Sequence, residues 1–161
     1  MLTTCSATAV TLDKNFAGNP PYLDTALPGT TSGARPELTG TVLADVTQIF
    51  SVPARNISGE VQSRVVREDG AGTLDFYWRV TVDRSSTGGN VDAFRLIDFG
   101  YDNIVDADSR TDGLGTTPAS IGRVFNAANY PTGAINFLFA GNGVPPGDPA
   151  SNANGSQFFF L

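Results

Sequence analysis

Between Leu74 and Asp83 apolar and polar side chains alternate without a break. Leu74, Phe76, Trp78, Val80 and Val82 fall on one parity, and Asp75, Tyr77, Arg79, Thr81 and Asp83 on the other. Successive side chains of a strand point to opposite faces, so this run reads as a strand with one buried and one wet face. A helical period of 3.6 would not sort the two classes this way. The preceding run, Glu60 to Arg67, reads the same way, and Glu68-Asp69-Gly70-Ala71-Gly72 separates the two. Asp-Gly accepts the positive φ of tight turns, which predicts a β-hairpin. A two-residue loop at Asp69-Gly70 and a four-residue loop from Asp69 to Gly72 give the same facing. Val61, Ser63 and Val65 share the buried face with Phe76, Trp78 and Val80. Gln62 and Arg64 share the outer face with Asp75, Tyr77 and Arg79.

Further strands are predicted near 7–12, over 38–50 (with Val42, Ala44, Val46 and Phe50 on one face), and over 93–99, 100–107, 119–125, 135–140 and 157–161. About eight or nine strands at this spacing, with little or no helix, predict an all-β antiparallel β-sandwich of the jelly-roll or immunoglobulin-like kind. A length of 161 residues fits one such domain over 1–161. The Pro/Gly/Thr-rich stretch 16–36 is expected to be an extended loop or linker within it. Phe158-Phe159-Phe160-Leu161 ends the sequence on an apolar run, which would expose a sticky edge if left unpaired. The natural chain is therefore expected to continue past Leu161, and the missing signal peptide suggests the same for its start.

Composition excludes several classes of function. Histidine is absent, which removes His-based triads and the commonest transition-metal ligand. The net charge of −6 leaves nine scattered Arg and Lys14, a surface that repels nucleic acid and anionic lipid. Cys5 stands alone, so no internal disulfide is possible. Leu2-Thr3-Thr4-Cys5 lacks the apolar run of a lipoprotein signal, and Cys5 reads as an ordinary small residue. No segment approaches the roughly 20 apolar residues of a membrane helix.

The best candidate for chemistry is the oxygen-rich stretch from Asp102 to Asp112, since Ca²⁺ takes six to eight oxygen ligands. Counted from Asp106, however, an EF-hand loop would need Gly where Thr111 stands and Glu where Thr117 stands. An exposed strand running into an Asp112-Gly113 turn is the better reading, and no metal site is expected. Asp75 and Asp83 fall on the wet face, and no carboxylate sits in an apolar setting that would tune it for acid–base work. Lys14 alone is a poor base for a serine nucleophile. Gly141 to Gly147 lacks the Lys-Ser/Thr of a phosphate loop. The tyrosines Tyr22, Tyr77, Tyr101 and Tyr130 are the remaining option, as rings offered to a sugar. The alternative for Tyr77 is cross-strand packing beside Arg64 or Arg79. Asn56-Ile57-Ser58 and Asn154-Gly155-Ser156 match the N-glycosylation sequon, and no role is assigned to them. No catalytic residue, cofactor or metal ligand is assigned.

From about Leu38 to Leu161 the order of motifs is distinctive: SGEVQSRVVRED and GAGTLDFYWRVTVD, then DAFRLIDFGYDNIVDADSRTDG, GAINFLFAG and NGSQFFFL. This resembles the extracytoplasmic domains of bacterial exosortase-sorted (PEP-CTERM) proteins. Their Pro-Glu-Pro sorting anchor is not among these residues. The resemblance implies secretion and display at the cell surface or in an extracellular, biofilm-type matrix. The expected function is a non-enzymatic structural or matrix protein. The alternative is a carbohydrate- or calcium-dependent binding or adhesion module on the same scaffold. Polysaccharide and other surface proteins are the candidate partners.

Overall fold

The computed structural model describes residues 9–12, 25–98, 105–126, 130–139, 141, 143–147 and 155–161. Ten strands are formed: β1 Val10–Leu12, β2 Thr25–Ala26, β3 Gly40–Val52, β4 Ile57–Glu68, β5 Leu74–Val82, β6 Ala93–Ile97, β7 Val105–Ser109, β8 Pro118–Asn126, β9 Tyr130–Phe139 and β10 Phe159–Phe160. The only helical pieces among the described residues are two 3-10 turns, Pro36–Leu38 and Pro53–Arg55. The strands make two antiparallel sheets, one of six strands in the order β1-β7-β10-β5-β4-β3 and one of four in the order β2-β8-β9-β6. The fold is the expected all-β sandwich.

The β4–β5 hairpin forms as predicted, with Val65 opposite Phe76, Ser63 opposite Trp78 and Val61 opposite Val80. Its loop is the four-residue form. Glu68 N–H donates to Thr73 O at 3.0 Å, and Gly72 closes the turn at φ +72°. Small side chains opposite large rings let the second sheet approach. Trp78, Val80 and Val82 pack against Ile121, Ile135, Phe137 and Phe139 of the smaller sheet.

The terminal run takes an unexpected place. β10 is no edge: it lies between β5 and β7, with Phe159 opposite both Trp78 and Ser109. Hydrogen bonds extend the insertion beyond both ends of β10 along β5, from Ser156 N–H to Val80 O at 2.7 Å to Leu161 N–H to Phe76 O at 3.1 Å, and on the β7 side Arg110 N–H donates to Phe158 O at 2.7 Å. Phe159 is fully buried, and the rings of Phe137, Phe94, Phe139 and Trp78 surround it at 4.6–6.3 Å.

Three sequence expectations need correction. The stretch 16–36 is not loop throughout. Thr25 and Ala26 pair with β8, and Thr30 then bridges to Arg110, so this segment crosses from the smaller sheet to the larger. Two residues are too few to leave a periodic signal. Strand 100–107 is described only from Val105 and runs to Ser109; the part before it lies outside the described residues. Finally, a register shift between Val42 and Ala44 splits the predicted face of β3. Val42 stands opposite Val66 on the outer side, while Ala44, opposite Val65, stays on the core side.

Candidate functional site

The outer face of β5 was expected to be wet, yet Asp75 and Tyr77 are buried. A small second core covers this face, made of Leu38, Val66, Tyr77 and Phe160 with Phe158 against them. The Tyr77 ring meets Phe160 at 4.9 Å and Phe158 edge-on at 6.1 Å. Burial pushes the Tyr77 hydroxyl far above its ordinary range, and the carboxylate of Asp75 adds to the shift. Tyr77 is therefore a packing residue. Alternation along β5 placed it beside Arg64, its direct cross-strand neighbour, but the Arg64 guanidinium lies over Phe158 instead, at 5.0 Å.

Beside this minor core the larger sheet carries a hollow of about 620 Å³, a size typical of small-ligand sites. Its floor is Arg64 and Val66 from β4 with Tyr77 and Arg79 from β5. One wall is the turn Leu38-Thr39-Gly40 leading into β3. The opposite wall is Arg110, Asp112, Gly113 and Leu114 after β7, and Ser156, Gln157 and Phe158 close the end. The insertion of residues 156–161 between β5 and β7 thus builds one side of the hollow.

Charge in the hollow runs against that of the chain. Among the described residues three guanidinium groups line it against one carboxylate, Asp112, in a protein whose net charge is −6. Two of the three are oriented by partners. Arg64 donates to Asp45 at 2.7 and 3.0 Å, and Gln62 donates to the other Asp45 oxygen at 2.8 Å. Those two partners, Gln62 first, hold the Asp45 carboxyl below its usual range. Arg110 grips Asp112 through two hydrogen bonds of 2.5 and 3.0 Å, and the Ser32 N–H and hydroxyl donate to the same carboxylate. The Arg110 bonds hold Asp112 well below the carboxylate range. Arg79 differs. Its Nε donates to Ser156 O at 3.1 Å, and among the described residues it has no ion-pair partner.

The oxygen-rich stretch does not converge. Among its described residues, Asp106 accepts from the Thr11 hydroxyl, Asp108 from Gly29 N–H and Ser109 N–H, and Asp112 belongs to Arg110 and Ser32. Asp102 lies outside the described residues. No group of three His, Cys, Asp or Glu side chains able to hold a metal occurs among the described residues. Asp108 corrects the expectation that no carboxylate lies in an apolar setting. It is fully buried, and burial raises its pKa against the lowering effect of its two backbone N–H bonds. Asp75 is buried too, but neither lines the hollow. Asp83 is exposed as expected and accepts from the Ser58 hydroxyl at 2.6 Å. Cys5, Lys14, Tyr22 and Tyr101 lie outside the described residues, and Tyr130 is described only by its backbone in β9. Arg79, Arg110, Gln157 and Phe158 were not singled out as site residues. The one available signal was the shared parity of Arg79, Tyr77 and Arg64 on the hairpin.

No protein-family model, curated protein or solved structure matches this chain. No helix among the described residues is long and apolar enough to cross a membrane.

Proposed function

We propose that this chain is a non-catalytic extracellular or cell-surface module of a bacterium that binds an acidic polysaccharide in the hollow of its larger sheet. The observation that carries this reading is the cluster of Arg64, Arg79 and Arg110 around an aromatic end wall, in a chain of opposite net charge. Guanidinium groups present a planar fork that matches carboxylate geometry. Arg79, which among the described residues has no carboxylate partner, offers its guanidinium to a ligand carboxylate at the base of the hollow. The half-buried Phe158 ring offers an apolar face to the C–H side of a sugar ring. The acidic remainder of the surface repels a polyanion everywhere else, which orients the encounter. Among the described residues Asp112 is the one carboxylate that lines the hollow, and it is locked by Arg110, which favours binding over the two-carboxylate chemistry of hydrolysis. Secretion and surface display rest on the resemblance drawn from the motif order.

The test is titration calorimetry with oligouronates and, in parallel, with neutral glucans. The expected result is binding of the acidic oligomers only, weakening as salt rises. Arg79→Ala should weaken it at least about tenfold, the scale of one desolvated charge-assisted contact, while Arg67→Ala, outside the hollow, should leave it unchanged. Equal binding of neutral glucans, or indifference to Arg79→Ala, would remove the hollow from consideration.

A matrix-building role, the first expectation that the resemblance implies, is favoured by a different observation: among the described residues the larger sheet ends in a long strand, β3, paired on one side only.

A further inference from the structure

β3 runs thirteen residues, Gly40 to Val52, as the last strand of the six-stranded sheet. β4 pairs with one side of it, and no described strand pairs with the other. Val42, Leu43, Val46, Ile49 and Val52 are exposed, Ile49 to 81%. Native edges are normally guarded by Lys, by Pro, by a bulge or by brevity. Here the register shift sits at Val42/Ala44, so Ala44 to Val52 is regular, and no Lys or Pro interrupts it. Its one ionisable side chain, Asp45, is bound by Arg64 and Gln62 of its own sheet.

We propose that β3 is a homodimerisation edge, pairing antiparallel with the β3 strand of a second copy about a two-fold axis through Gln48. A strand paired with itself in this way is self-complementary in its backbone hydrogen bonds. The side chains select the register. With Gln48 opposite Gln48, Val46 faces Phe50 and Ala44 faces Val52 on the core side, while Thr47 faces Ile49 and Asp45 faces Ser51 on the outer side. Both Gln48 amides then meet at the axis, where each can donate to the other. A register centred on Asp45 would put like charges directly opposite, which destabilises a pair. Pairing nine residues from each copy removes roughly 1,000 Å² from solvent, the lower bound for a specific interface. The two larger sheets become one, and both hollows open on the same face, since a two-fold normal to a sheet preserves its faces. A polymeric ligand could then span two sites, although the dimer stands whether or not the hollow binds a glycan.

Sedimentation velocity of the full chain, from about 1 to about 500 µM, tests this. The expected result is a concentration-dependent species of twice 16.9 kDa. Val46→Lys and Ile49→Lys change exposed side chains, so their thermal melts should match the wild type at low concentration. Each should weaken dimerisation by about tenfold or more: Val46→Lys sets a charge opposite the Phe50 ring of the second copy, and Ile49→Lys places its ammonium diagonally across the axis from its own copy. In a Cys5→Ser background, Gln48→Cys should form a disulfide dimer on mild oxidation, since a residue facing itself brings its Cβ atoms within disulfide reach. Thr41→Cys, outside the paired segment, should not. A chain that stays monomeric across the range overturns the proposal, even if it captures strands of other proteins. A dimer indifferent to both lysine variants, or one that cross-links equally at Thr41, overturns it as well.

Discussion

Phe159 offers the most direct test of how the sandwich is closed. Its ring is fully buried between the sheets and touches four other aromatic rings, with centroid distances from 4.6 to 6.3 Å. Phe159→Ala removes the ring and leaves a void that two paired backbones hold open, because β5 and β7 flank β10 on both sides. Large-to-small changes of this kind cost about 3–5 kcal/mol, and the upper end applies where the surroundings cannot collapse. Against a total stability of about 5–15 kcal/mol this is a third or more. It corresponds to a fall in Tm of about 10 °C or more for a chain of this size. Phe158→Ala is the internal control. That ring is half-buried on the opposite face, against Tyr77 and beneath Arg64, so about 1–2 kcal/mol is expected. Urea unfolding followed by the fluorescence of Trp78, the single tryptophan, reads both, since its ring lies 6.3 Å from Phe159. If Phe159→Ala costs no more than Phe158→Ala, the terminal segment does not occupy the centre of the larger sheet, and the account of the core fails.

Asp108→Asn should leave stability at neutral pH equal to or above that of the wild type, because Asn keeps an acceptor for Gly29 and Ser109 N–H. The folded-state pKa of Asp108 is raised, so the folded protein favours the protonated form, and the wild type gains on the variant as pH falls through that value. Urea midpoints at about pH 7.5 and about pH 4.5 should therefore converge, and a gap that widens on acidification contradicts the assignment. Gly59→Ala should destabilise by about 2–3 kcal/mol or more, since a Cβ there would stand 2.0 Å from Thr81 O of the paired strand and 2.9 Å from the Phe50 ring. Thermal unfolding measures it, and a neutral result would mean that β4 and β5 separate more easily than their register implies.

The sequence made the β4–β5 hairpin legible because every determinant of it is local. Alternation assigns the faces, and Asp69 to Gly72 supplies the turn. The position of β10 was not legible for the opposite reason. Its partners lie far away along the chain, seventy-six residues in the case of Val80 and Ser156. An apolar run reports that it will be buried but not between which strands. The Val42/Ala44 shift was equally hidden, since one extra residue leaves the composition of a strand unchanged while turning over the face of what precedes it.

The hollow shows most clearly where alternation stops being informative. Tyr77 and Arg79 share a parity with Asp75 and Thr81, and a period-2 pattern treats all of them as one solvated row. Whether that row is flat and wet, covered, or sunk between walls depends on other segments. Here the turn at Pro36–Leu38, the loop from Arg110 to Leu114 and the stretch Ser156 to Phe158 do the covering. They bury Tyr77 and leave Arg79 at the bottom of a recess. The same two neighbours on one strand thus become a core residue and a binding candidate. The physical difference between them is the third layer laid over the sheet, which residue order within β5 does not encode. A polar face on a strongly alternating strand is therefore the place to look for a site, but only the packing of distant segments decides which of its residues a ligand can reach.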